Sequence, residues 1–309
     1  MDIKHITDTI EQKKCILVLG PDIAFNSEKS LLKELSNFLQ TNGYKHQFHD
    51  DEELFSSTSN FKHGGFRLFP QFFNALKTNK TYQQIAEIPF HLIISLSPDL
   101  LLKQTFDKNN FDYSFDYYQK QKPRKEIEKP NNKKPLLYNL LGTQMESTSL
   151  ILCFNHLFDY LSSILGKFEL PSKLRTELDD AWTIYFLGFK YDKWYFKLIM
   201  RLLNKDGEVQ RQASFKGENH GNNIINFYKD EFHFVFEEEL TGTEIIKQIH
   251  NYFAENNSLR KPKDNALRKP KEEDATTVNK TTNVINVNKG STVGNIYQGV
   301  KTNDTNNKK

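Results

Sequence analysis

Four groups of residues in this chain have types and spacings that could do chemistry. Gly20 ends an apolar run and opens the turn Pro21–Asp22–Ile23–Ala24, where a phosphate could rest against the N-terminus of a following helix. Ser95, Ser97 and Asp99 follow a second apolar run and fall where a ligand crevice would lie. His46 and His49, three apart and followed by Asp50, Asp51, Glu52 and Glu53, are metal-ligating types. No third and fourth ligand follow, so the stretch reads as a solvated loop and no metal is expected. His63, just before Gly64–Gly65, and His156, three residues before Asp159, read as an exposed turn residue and a surface hydrogen-bonding residue.

The first turn is at odds with phosphate binding. Such a turn needs backbone N–H groups that can approach an anion, and glycines allow that approach. Here Pro21 has no N–H to give and Asp22 is itself an anion.

Composition narrows the classes. Forty of the 309 residues are aromatic, 25 of them Phe, which implies a packed interior over most of the length. No apolar stretch reaches the ~18–20 residues of a membrane span, and residues 1–14 lack a secretory apolar region. Two cysteines give no disulfide framework, so a cytoplasmic location is expected. The net charge of +3 is uneven: residues 259–309 carry eleven Lys/Arg against five Asp/Glu, leaving about −3 for the rest. A general nucleic-acid-binding surface on that remainder is not expected.

The elements that would position these groups follow from apolar patterning. Cys15–Leu19 is too short an apolar run for a helix and suits a strand buried on both faces. A helix follows, capped by Ser27, with Leu31, Leu32, Leu35, Phe38 and Leu39 on one face, and it stops at Asn42–Gly43. Residues 70–87 read as one or two helices, and Phe90–Ser97 as a strand, after which Asp99 caps a helix. Residues 120–134 form a basic loop; Leu136–Leu141 is a strand ending at Gly142, and Leu150–Phe154 a further short one before a helix. Ala181–Leu187 is a strand ending at Gly188, with Asp192 in the turn beyond it and a helix over 193–203. Ile224–Tyr228 and Phe232–Phe236 read as paired strands, and a helix over 243–253 closes the domain. The expected fold is α/β: a mainly parallel, Rossmann-like sheet flanked by helices, followed by a flexible C-terminal tail.

The order of these motifs resembles the sirtuin-like NAD-consuming domains of bacterial antiviral defence systems, over roughly residues 1–255. Four blocks carry the resemblance: Leu19–Ala24, Ser95–Asp99, Leu141–Thr143 with Leu150–Cys153 and Asp159–Tyr160 after it, and Gly188–Asp192. It implies cleavage of the nicotinamide–ribose bond of NAD, with Gly20, Asp22, Ser95, Asp99, Gly142, Gly188 and Asp192 at cofactor-binding positions. The family's water-orienting asparagine falls at Ser97 and its general-base histidine at Leu141, so both catalytic positions are substituted. Leucine takes no proton, and a general base is worth ~10²–10⁴ in rate.

Two functions are therefore weighed. One is a catalytically degenerate domain acting as sensor, regulator or scaffold; the other is an active NAD glycohydrolase using a displaced base, His63 or His91, or one made competent by oligomerisation. A third keeps NAD or an ADP-ribose-like nucleotide as a bound signal without turnover.

Residues 256–282 read as a charged linker in which Leu259–Arg260–Lys261–Pro262–Lys263 recurs eight residues on as Leu267–Arg268–Lys269–Pro270–Lys271. Residues 283–309 are rich in Asn, Gly and β-branched residues. Within them, 283–299 read either as two short strands serving partner docking or self-assembly, or as a disordered polar tail.

Overall fold

The computed structural model describes residues 2–25, 30–56, 65–122, 126–166, 168–203, 210–214 and 222–263. The chain divides into two units, Met1–Asp264 and Asn265–Lys309. The expectations for Ser27, His63, the second Leu-Arg-Lys-Pro-Lys repeat and the 283–309 tail lie outside the described residues.

The first unit is α/β. Strands β1 (Cys15–Leu19), β4 (Leu92–Ser95), β5 (Ser114–Tyr117), β6 (Leu136–Asn139), β7 (Thr183–Leu187), β8 (Gln210–Ser214) and β9 (Phe234–Glu237) form one sheet in the order β5-β6-β4-β1-β7-β8-β9. Every pairing in it is parallel. A two-residue hairpin, β2 (Phe48–His49) with β3 (Leu54–Phe55), stands apart.

Both faces of the sheet are covered. All residues of β1, β4, β6 and β7 are buried, which is why these strands are near-continuous apolar runs rather than alternating ones. One face carries α6 (Phe154–Ile164), α7 (Ser172–Asp179), α8 (Trp194–Leu203) and α9 (Asn222–Phe232) through Leu157, Leu174, Ile199 and Tyr228. The other carries α1 (Ile3–Glu11), α4 (Lys80–Glu87), α5 (Leu101–Lys108) and α10 (Gly242–Glu255) through Ile6, Ile85, Phe106 and Ile249. Burying each such side chain contributes about 1.5–3 kcal/mol. A third apolar cluster joins α2 (Leu31–Thr41), α3 (Gly65–Ala75), Phe55 of the hairpin and Leu150–Cys153.

Several helix starts are capped by side chains, whereas α5, α6 and α7 have no side-chain cap bond. Asp2 accepts from the His5 amide, Asn79 from the Tyr82 amide, and Thr241 with Glu244 forms a capping box on α10. Ser30 caps α2, and Gly43 beyond it has φ +75°, a conformation glycine takes without strain.

Several expectations are corrected. Ile224–Tyr228 is not a strand but part of α9: Ile224, Tyr228 and Phe232 recur every four residues, and the helix buries Tyr228 completely. Phe234–Glu237 pairs in parallel with β8, not with that segment. Leu150–Cys153 forms no strand of the sheet; it makes a single bridge, Phe55 with Cys153, and the Phe55 amide donates to the Leu152 carbonyl at 2.9 Å. The sheet has seven strands, of which β1, β4, β6, β7 and β9 were expected as strands and β5 and β8 were not. The first unit extends to Asp264, past residue 255, and Arg260 within that extension is buried against the carbonyls of Ala86, Ile88 and Phe90. No helix among the described residues is long and apolar enough to cross a membrane.

Candidate functional site

In a doubly wound sheet, ligands bind beyond the carboxyl ends of the strands where the strand order reverses. Here the chain leaves β1 for β4 on one side and later returns to β7 on the other. The turns after β1, β4, β6 and β7 should therefore frame a crevice. At or beside them fall Gly20, Asp22, Ser95, Ser97, Asp99, Gly142, Gly188 and Asp192, whereas His46, His49 and His156 lie elsewhere.

The turns after β1 and β7 are in backbone contact. The Gly20 amide donates to the Leu187 carbonyl at 2.7 Å, and the Asp22 amide to the Gly188 carbonyl at 3.3 Å. A Cβ placed on Gly20 would lie 1.9 Å from the Gly188 oxygen, and one on Gly188, whose φ is +73°, would lie 2.8 Å from the Ile23 nitrogen. Asn79 fixes the turn from below by donating to the Ile23 carbonyl at 3.0 Å. The glycines thus serve close packing between two turns. The amides of residues 20 and 22 are spent on that contact, and Pro21 has none to give an anion.

Ser95, Ser97 and Asp99 are also committed. The Ser97 amide donates to the Ser95 hydroxyl at 3.1 Å, and the Ser97 hydroxyl donates to the Asp99 carboxylate. That carboxylate accepts from the Leu101 amide at 2.9 Å, so Asp99 serves the first amide of α5 from the residue before its N-cap, Leu100, rather than as the expected cap. Burial pushes the Asp99 carboxyl above the ordinary aspartate range, against the pull of these two bonds. Gly142, φ +85°, accommodates the turn at Ser147–Ser149: a Cβ there would lie 2.2 Å from the Ser149 carbonyl oxygen. The Ser149 hydroxyl in turn accepts from the Thr143 amide at 2.9 Å.

Between these turns and the third apolar cluster lies a cavity of about 60 Å³. Leu96, Pro98, Leu141 and Phe189 line it from the sheet side, Leu31, Leu32 and Leu54 from the other, and Pro21 and Asp22 border it. Such a volume has room for a few waters, whereas small-molecule pockets run to about 300–1,000 Å³. Leu141 therefore does more than replace a base: its side chain helps to fill the space.

Charge gathers at one rim. Asp22 is buried, with the Lys190 ammonium 3.9 Å away, and Lys190 also pairs with Glu53 from the hairpin tip. Burial works against charge on Lys190, but the Glu53 and Asp22 carboxylates outweigh it and hold the ammonium above the ordinary lysine range. Lys193, also buried, donates to the Asp51 carbonyl and lies 3.7 Å from Asp192, which is itself exposed. Two hairpin residues thus occupy the two lysines that precede α8. Glu53 holds this place at φ +54°, a conformation few residues other than glycine, Asn or Asp adopt. The sequence offered His46, His49 and this acidic run as a loop; the latch onto residues 190 and 193 was not legible, because the partners are 137 and 142 positions apart.

Among the described residues, no histidine lines the cavity, and no group of three or more His, Cys, Asp or Glu is arranged to hold a metal. His91 precedes β4 at its amino end, about 13 Å along the strand from Ser95. Its Nε2 lies 3.3 Å from the Glu177 carboxylate, so it serves the far edge of the sheet. His156 is half-buried; burial and then the Lys120 ammonium depress its pKa to about 4. His46 is held by the Ser36 hydroxyl at 2.7 Å and the Tyr44 carbonyl at 3.0 Å, and His49 by the Ser56 hydroxyl at 2.7 Å.

The residues present do not fit a bound dinucleotide: three carboxylates, Asp22, Glu53 and Asp192, face two ammonium groups beside a cavity of a few waters. Fold and site together define a doubly wound α/β protein whose switch-point crevice is closed. No protein-family model matches the chain, and no curated protein matches it.

Proposed function

We propose that this chain is a sirtuin-like domain that does not turn over NAD and acts as a sensor, regulator or scaffold in a bacterial antiviral defence assembly. The motif order supports the family and its setting. The closed crevice supports the loss of chemistry, and the contact between the Gly20 and Gly188 turns carries that part: it consumes amides and space a pyrophosphate would need. Residues 283–299 are the segment we assign to partner docking or self-assembly, on the strength of their sequence alone. Two buried free thiols, Cys15 and Cys153, suit a reducing cytoplasm.

Nicotinamide release from NAD, followed at high protein concentration with and without assembly of the full chain, tests the reading. No release above a buffer control is expected. Clear turnover would overturn it and bring back a displaced base, with replacement of His63 by alanine as the next experiment.

A further inference from the structure

The duplicated segment of the linker has a structural counterpart for its first copy. Arg260 is 8% exposed although it lies beyond the last helix. Its Nε donates to the Ala86 carbonyl at 2.9 Å, its Nη2 to those of Ile88 at 3.1 Å and Phe90 at 2.8 Å, and its Nη1 to that of Asn132. The guanidinium carbon sits 5.3 Å over the Phe106 ring, and the Arg260 amide donates to the Glu87 carbonyl at 2.7 Å. Leu259 packs against the apolar cluster below, and Lys263 closes the strap: its amide donates to the Asn110 carbonyl at 2.8 Å and its ammonium lies 3.1 Å from Asp112.

This socket reads a sequence. Every acceptor around the guanidinium is a backbone carbonyl, spread so that three different nitrogens of a planar fork are used at once. A lysine could not reproduce that. The pattern required is Leu-Arg, then a lysine three residues after the arginine. The second copy, Asn265–Ala266–Leu267–Arg268–Lys269–Pro270–Lys271–Glu272, supplies each of these, and matches Asn257–Ser258–Leu259–Arg260–Lys261–Pro262–Lys263–Asp264 even at its flanking Asn and acidic residue. The strap forms one wall of an open groove of about 910 Å³ whose other walls include Pro89, Asp112, Asn132 and Phe253, so open space lies directly beside it.

We propose that the Ala86–Phe90 socket is a binding site for a Leu-Arg-Lys-Pro-Lys peptide, and that the second repeat of the chain is a ligand competing with the first. Exchange moves the seated register by eight residues. It requires only that residues 257–264 loop out, and loop-closure entropy grows slowly with length. The exchange would shorten by eight residues the tail that extends beyond the socket.

Urea unfolding of three full-length variants tests this. In Arg260→Ala, the second repeat takes the socket, and the unfolding constant rises about twentyfold, the entropy of closing an eight-residue loop. Arg268→Ala alone changes nothing. Replacing both arginines leaves the carbonyls without their donor, and the constant rises at least about a thousandfold. Arg260→Ala being as unstable as the double variant, or as insoluble, overturns the proposal. In a second measurement, a synthetic peptide of residues 265–272 is added to the double variant. A raised denaturation temperature with this peptide, and none with its Arg268→Ala form, supports the proposal; no rise with either, or equal rises with both, overturns it.

Discussion

Gly20 and Gly188 touch through their backbones: a single added methyl on Gly20 would stand 1.9 Å from the Gly188 carbonyl oxygen. Each ends a strand, β1 and β7, and these two strands flank the point where a doubly wound sheet opens to a ligand. In this protein that point is a packing contact.

Gly20→Ala should therefore be costly, by about 3 kcal/mol or more, because backbone rather than a movable side chain must shift. Gly43→Ala is the control. Its φ is positive, +75°, unlike that of Gly20, but nothing lies within 4 Å, so only the backbone strain of about 1 kcal/mol is expected. Urea midpoints of the two variants check the difference; equal losses would show that the turns are not tightly apposed.

Lys190→Met should destabilise by about 1–2 kcal/mol, a figure reduced for the partial exposure of the ammonium. It removes the ammonium that Asp22 and Glu53 share. Adding Asp22→Asn should recover part of the loss. A double-mutant cycle measures it, and strictly additive losses would show that the three groups are not coupled.

Acid should weaken the fold through His156. Its pKa in the folded chain, depressed to about 4, lies below the ordinary 6.5. Between those values the unfolded chain binds a proton that the folded chain refuses, so stability falls as pH drops through that window. For a half-buried group the loss is about 1–2 kcal/mol. His156→Gln should flatten this part of the stability–pH profile, read as urea midpoints from pH 7 to pH 4.

Restoring the missing catalytic types should not restore catalysis. The pair Leu141→His and Ser97→Asn puts an imidazole and an amide at the catalytic positions of the family we propose, yet the Gly20–Gly188 contact and the hairpin latch are unchanged. Nicotinamide release from NAD should stay at the level of the unmodified protein. Turnover in the double variant would mean that only the two side chains, and not the closed crevice, separate this chain from an active one.

The central strands were legible because a strand buried on both faces must be apolar throughout: β1, β4, β6 and β7 announce themselves as short Leu/Ile/Val/Phe runs. The glycines ending β1 and β7 were legible as well, and so was the start of α5 beside Asp99, though the N-cap position falls one residue on, at Leu100. Of the outer strands, β9 was legible through Phe232–Phe236, whereas β5 and β8 were not. Ser114–Tyr117 and Gln210–Ser214 are polar, and only their pairing with β6 and with β7 and β9 makes them strands. Ile224–Tyr228 alternates like a strand over five residues but packs with helical period over eleven, a conflict that burial of Tyr228 against the sheet resolves.

What sequence alone determined, then, is the parallel α/β scaffold and the position of its crevice, because both follow from runs and turns of a few residues. Whether that crevice is open was decided by tertiary structure. The answer depends on contacts between turns far apart in the chain, Gly20 on Gly188 and Glu53 on Lys190. Neither a motif nor a period encodes how closely two backbones approach.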